Sequence, residues 1–186
     1  MVIFLNCNIT AKKEDSVFKT LEPLFLFGIL SYNSTSPFDR FAVRDLEFSR
    51  FLGRWNEIKR IDNSFQLGLR NVNATYASLS DGNISVINSG TALNGTLSNI
   101  SGIALIPNSQ VGILKVSFFF PFFFGDFIIL DIDKTSYQTA MIGGPSSNIL
   151  WIFSRTNSID PQVESGYIAK AKSYGYNTDS LQKFRD

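Results

Sequence analysis

The chain has 186 residues, 44% of them hydrophobic and 18% charged, which supplies a packed domain of ordinary size and excludes disorder over most of its length. Lys and Arg number 17 against 16 Asp and Glu, a formal charge of +1, so the usual electrostatic ground for a nucleic-acid partner is missing. With His at 0 and Cys at 1, a Ser-His-Asp triad, a Cys-His pair, a His/Cys zinc site, a His-ligated haem and an internal disulfide are excluded, while 18 Phe, 2 Trp and 6 Tyr favour binding of apolar matter over catalysis.

Residues 1–44 read as a leader and linker without clean periodicity, with a charged patch at Lys12-Lys13-Glu14-Asp15 and a Ser/Asn/Thr stretch from Tyr32 to Ser36 that closes at Pro37. Cys7 follows the apolar Val2-Ile3-Phe4-Leu5-Asn6 and precedes polar sequence, a pattern that resembles the tail of a lipoprotein signal whose cysteine carries lipid. Asn6 stands where such a signal usually has a small residue, and the competing reading is an inert thiol in a tail. The run Leu24-Phe25-Leu26-Phe27-Gly28-Ile29-Leu30 falls short of the roughly 20 residues that span a bilayer, and the acidic Glu14-Asp15 ahead of it opposes a signal core.

From Phe51 the texture changes to short apolar or alternating runs, separated by turn signals at Asp81-Gly82, Asn94-Gly95, Pro107-Asn108, Pro121, Asp133-Lys134 and Gly143-Gly144-Pro145. They predict eight antiparallel strands, at about 55–61, 72–79, 84–90, 99–106, 112–119, 126–132, 136–142 and 149–155. Eight up-and-down strands with an inner face to fill describe a closed barrel, since closure removes the sheet edges. After Arg155 the period becomes helical: Asp160 is placed to cap, Pro161 to take the first position, and Val163, Tyr167, Ala171 and Tyr174 to form a stripe against the barrel wall. Gly175 ends that helix, and Leu181 to Phe184 adds a short strand. The expected fold is therefore all-β, an eight-stranded up-and-down barrel over residues 45–186 with a C-terminal α-helix packed outside.

Gly53-Arg54-Trp55, at the head of the first strand, resembles the G-x-W motif of the lipocalin family. The following segments are similar to bacterial outer-membrane lipocalins and apolipoprotein D: Asn71-Val72-Asn73-Ala74-Thr75-Tyr76, Asp81-Gly82 through Val86-Ile87-Asn88, Leu114-Lys115-Val116-Ser117-Phe118-Phe119, and Leu150-Trp151-Ile152-Phe153-Ser154-Arg155-Thr156. The resemblance runs from about Asp45 to the C-terminus, with Asn56, Lys59, Phe120 and Asn157 departing from the family pattern. It implies a calyx closed at one end, with an apolar cavity for a fatty acid or lysophospholipid; with the Cys7 pattern, the expectation is a protein that binds or ferries such a lipid, anchored to or working beside a bacterial outer membrane. No cofactor and no metal are expected, the composition having removed their usual ligands. Two rivals stand beside it: an enzyme of the same fold acting on a lipid, although Cys7 lies outside the barrel segment, and a surface lipoprotein that serves only as a scaffold. Six N-x-S/T sequons, at Asn8, Asn33, Asn73, Asn83, Asn94 and Asn99, are what an Asn- and Ser-rich composition produces by chance, and Asn73 sits inside a predicted strand.

Matched to the family pattern, Gly53, Trp55 and Arg155 become structural: the Trp and Arg lie at one end of an up-and-down barrel, where the guanidinium covers the indole and closes the floor. Val72, Ala74, Tyr76, Val116, Phe118, Phe127, Ile129, Met141, Trp151 and Phe153 are expected to face inward and bind ligand, with Asn73, Thr75, Lys115 and Ser117 outward. A barrel filled by its own side chains is the alternative. Strand counting puts the Phe-rich turn, with Phe120, Phe122, Phe123 and Phe124, at the open mouth, where the rings either contact a membrane or incoming lipid or fold back over the entrance. Strict alternation from Trp55 also turns Lys59 inward, to meet a ligand anion or to pair with Glu57, unless a local bulge turns it out.

Overall fold

β1 (Gly53–Ile61) climbs from one end of a barrel to the other, and seven strands follow it up and down: β2 (Leu69–Ser78), β3 (Ile84–Ala92), β4 (Leu97–Leu105), β5 (Ile113–Ser117), β6 (Gly125–Ile132), β7 (Thr139–Gly143) and β8 (Leu150–Ser154). The computed structural model describes residue 24 and residues 26–186. Each strand pairs antiparallel with the next, and β1 closes the sheet by pairing with both β2 (Trp55↔Ala74) and β8 (Asn56↔Ser154). The eight strands expected from alternation and turn residues are all present, with ends displaced by no more than three residues. A ninth, β9 (Leu181–Gln182), pairs with β1 at Arg60 and Ile61.

The register shifts at three places, between Arg70 and Asn73 of β2 and at two bulges that serve the outer wall. The β1–β8 register shifts between Glu57 and Lys59, so Ile58 and Lys59 both point outward. The β6–β7 register shifts between Ile129 and Asp131, so Leu130 and Asp131 do the same. A bulged strand bends and re-aims the side chains beyond it.

The helix α3 (Pro161–Tyr174) covers that wall. Asp160 caps it as expected, its carboxylate accepting from the N–H groups of Gln162 at 2.7 Å and Val163 at 3.4 Å, with Pro161 in the first turn and Gly175 beyond the end. Tyr167 and Ala171 are buried against Ile58, Met141, Leu150 and Ile152. Val163, expected in the same stripe, is exposed; Tyr174 packs as expected, and Ile168 joins it. The two bulged charges are bound by the helix, Lys59 Nζ at 2.8 Å from Glu164 and Lys170 Nζ at 2.7 Å from Asp131.

Residues 36–44, which the sequence places in a leader and linker, are laid along the outer wall. Phe41 stacks on Tyr174 with centroids 4.0 Å apart, Phe38 lies 4.3 Å from Tyr176, and Val43 exchanges backbone hydrogen bonds with Ile129 and Gly112. Ahead of them, α1 covers residues 26–32 and rests on the β5–β6 turn. Lys115 points outward as expected, but this part of the wall is not solvated: its ammonium is buried with the Asp126 carboxylate and also donates to Ser34 O. Ser117 is buried as well.

Candidate functional site

The floor of the barrel is assembled on α2 (Phe48–Phe51) and the first residues of β1. Gly53 takes φ 93°, a left-handed turn that L side chains resist, and this swings the chain from α2 into the strand. Trp55 is fully buried, stacked on Phe51 at 5.3 Å, and its indole N–H donates to Phe51 O at 2.7 Å. The Arg155 guanidinium lies 3.7 Å over the indole. It donates to Arg50 O, Leu52 O and Arg54 O at 2.8 Å each, to Phe51 O at 3.1 Å and to Tyr137 O at 3.2 Å. These include the carbonyls that a helix C-terminus leaves without partners. Burial brings the Arg155 pKa down to about 10, so the group remains a cation at neutral pH.

Above the floor, Ala74, Tyr76, Ile129 and Phe153 belong to one interior cluster, with Val116, Phe118, Phe127 and Trp151 packed against it. Val72 is buried beside Gly90, on the same inner face. Tyr76 is enclosed by Phe51 at 5.1 Å and Phe127 at 5.9 Å, and burial raises its phenol pKa above the ordinary value.

Two of the expected inward residues are not there. Met141 pairs with Ile152 and Asp131, both outward, and packs under α3 with Tyr167; its neighbours Ala140 and Ile142 are the interior residues of β7. Lys59 is outward because of the bulge after Glu57, and its partner is Glu164 of α3. It therefore neither meets a ligand anion nor pairs with Glu57.

The interior cation is Arg60, opposite Trp151 in the register and fully buried. Its Nη1 donates to Glu57 at 2.7 Å, its Nη2 to Leu69 O at 2.9 Å and Gln66 O at 3.1 Å, and its Nε to Asp62 at 3.1 Å. Phe184, beyond β9, covers its other face at 3.7 Å. Gln66 links this group to the wall, donating to Glu57 and accepting from the Trp151 indole at 2.7 Å each. Burial outweighs these partners at Glu57 and raises its carboxyl pKa above the ordinary value. Because the guanidinium's donors are engaged inside the protein, Arg60 holds the β1–β2 loop and the C-terminal segment in place.

One interior polar group is not engaged. Asn88 alternates with Ile84 and Val86 on the inner face of β3 and stands between Ala74 and Ile100. Its Oδ1 is buried without a hydrogen-bond partner, one of two such atoms among the described residues. The same period-two count that placed the other wall residues would have found it from the sequence, whereas Arg60 requires the bulge.

At the open end, Phe120 and Phe123 are exposed, while Phe122 and Phe124 are half-buried, Phe124 packing on Tyr32 at 5.5 Å. Phe118 turns inside, against Gly102. Phe124 is thus turned toward α1, while Phe120 and Phe123 face outward. Cys7 lies outside the described residues.

A family model for the lipocalin-like domain matches residues 46–186. The chain belongs to the lipocalin family. It is 37% identical over 141 residues to a Vibrio cholerae outer membrane lipoprotein Blc, covering 75% of this chain and 82% of that one. It is 38% identical over 152 residues to temperature-induced lipocalin-1 of Arabidopsis thaliana, covering 76% and 80%. Among solved structures, lobster apocrustacyanin A1 superimposes with a TM-score of 0.62 at 18% identity, covering 78% of this chain and 91% of that one, which shows the shared fold. As a lipocalin, the protein presents its calyx as a site for a hydrophobic ligand.

Proposed function

We propose that this lipocalin binds and carries or stores a single-chain lipid, a fatty acid or lysophospholipid, with the acyl chain among the rings of the lower calyx and a polar group at Asn88. The unpartnered Asn88 Oδ1 carries this reading. A buried acceptor without a partner costs about 1–3 kcal/mol, and a pure hydrocarbon would leave that cost in place, whereas a ligand group that donates, a hydroxyl or a protonated carboxyl, removes it. The interior wall also offers Tyr76, Phe127 and Phe153, against which each buried CH₂ contributes about 0.8 kcal/mol. The site of action we infer is a bacterial outer membrane, with an acyl anchor on Cys7; the name of the Vibrio cholerae relative supports it. The role is carriage of the lipid, with no bond made or broken in it.

The test is titration of delipidated protein with a fluorescent fatty acid and with a lysophospholipid. Binding at micromolar strength or better is expected for at least one. Asn88→Leu should weaken that ligand by up to about tenfold, the worth of one hydrogen bond, and leave a plain alkane probe unaffected. Failure of both lipids to bind the unsubstituted protein overturns the proposal.

A further inference from the structure

We propose that the open rim of the barrel docks, mouth down, on the surface of an uncharged lipid bilayer. Phe65 and Leu67 on the β1–β2 loop, Leu93 and Leu97 on the β3–β4 hairpin, and Phe119 and Phe120 on the β5–β6 turn are each more than half exposed. They lie on three of the four connections that encircle the mouth. The first two connections touch: Leu93 Cδ1 is 4.0 Å from where a Cβ on Gly68 would sit. α1 continues the surface past the third, held there by Ser31 Oγ, which accepts from the Phe124 N–H at 3.1 Å, and by the Phe27 and Phe123 rings 5.1 Å apart. Exposed apolar side chains gathered at one end of the barrel in this way mark an interaction surface.

Charge distribution selects the occupant. The open-end connections, 62–68, 93–96, 118–124 and 144–149, hold a single ionisable residue, Asp62, and Arg60 engages its carboxylate at 3.0 Å. The opposite end carries Asp81, Asp133, Lys134, Arg50 and Arg54. Arg70, exposed on β2 two residues beyond Gly68, is paired with the Asp186 carboxylate, so among the described residues these connections offer an anionic surface no free cation, and what they fit is neutral and apolar. The rim also surrounds the entrance to the calyx, so it meets the phase from which the ligand comes; this step rests on the single-chain lipid reading. Depth is limited by the backbone. Among the described residues β5 pairs only with Ile103–Leu105 of β4, so residues 97–102 present an open edge there that hydrocarbon does not tolerate, and the seating is confined to the loop tips at headgroup level.

The experiment is co-sedimentation of the full chain, carrying Cys7→Ser so that no acyl anchor contributes, with phosphatidylcholine vesicles. The protein is expected to pellet with them, unchanged by 0.5 M salt or by admixed phosphatidylglycerol, because no charge pair is involved. Leu67→Ser, Leu93→Ser and Phe119→Ser combined should lower the partition coefficient at least about tenfold by removing apolar contact area, with the denaturation midpoint and the affinity for lipid in solution unchanged. Absence of pelleting, pelleting that requires anionic lipid, or pelleting unaffected by the triple substitution overturns the proposal. So does a concentration-dependent dimer that the triple substitution abolishes without vesicle binding, which would make a second copy the occupant. Solution affinity for the fatty acid is read separately, so failure at the rim is distinguishable from failure at the calyx.

Discussion

Replacing Arg155 by Ala removes one guanidinium and deprives five carbonyls of a donor at once. The bonds to Phe51 O and Leu52 O are partly buried, and hydrogen bonds from charged donors are worth about 1.5–3 kcal/mol where water does not replace them. Those to Arg50 O and Arg54 O are exposed, and water takes most of their place. The cation–π contact with Trp55 at 3.7 Å adds about 1–2 kcal/mol in this desolvated position. Allowing for water at the exposed bonds, the expected loss for Arg155→Ala is about 3–5 kcal/mol, comparable to the cost of truncating the buried Trp55 to Ala. Arg155→Lys keeps the charge but not the planar fork, so about half the loss is expected. Urea denaturation followed by Trp151 fluorescence measures both variants. A double-mutant cycle with Trp55→Ala should show coupling of about 1–2 kcal/mol. A loss below about 1 kcal/mol for Arg155→Ala would refute the assembly of the floor around this guanidinium.

Lys59→Met should leave ligand affinity unchanged and cost at most about 1 kcal/mol, since it breaks only the partly exposed pair with Glu164; selective loss of affinity for an acid over its alcohol would contradict the outward placement. Arg60→Met strands the Glu57 carboxylate in the interior and should cost about 3–5 kcal/mol by urea denaturation, the cost of breaking a buried pair from one side. Glu57 gives a dependence on pH. Its folded pKa lies above the ordinary 4.5, so the folded state holds a proton the unfolded chain has released. That contribution is fully present below the unfolded value and is lost as pH rises through the folded one. The stability of the unsubstituted protein relative to the non-titrating Glu57→Gln should therefore fall as pH is raised from about 4 to 7; a difference that is flat or rises would show the carboxyl is not raised.

The strands and α3 were legible because local signals agree: alternation, turn residues at regular spacing, and a cap of Asp160 followed by Pro161. Inner and outer faces were legible only where the outer face is polar. On β2, Asn73 and Thr75 separate Val72, Ala74 and Tyr76, and the parity is plain. On β7, Ala140, Met141 and Ile142 are all apolar because α3 buries the outer wall too, so alternation carries no sign and Met141 was placed on the wrong face. The Lys59 bulge leaves no local mark, since a single extra residue reverses the parity of everything after it. Residues 36–44 have no period of their own; their order comes from Phe41 stacking on Tyr174 and Phe38 packing on Tyr176, contacts made across the length of the chain. The Glu57–Arg60–Gln66 group depends on the same bulge and on a C-terminal segment that returns to cover it with Phe184.

Native mass spectrometry of the full chain, purified without detergent from the cells that make it, tests the lipid-carrier account most directly. The account predicts a bound mass matching one single-chain lipid per protein, released by delipidation and restored by adding the lipid back. A protein that arrives bare and takes up neither fatty acid nor lysophospholipid would contradict it.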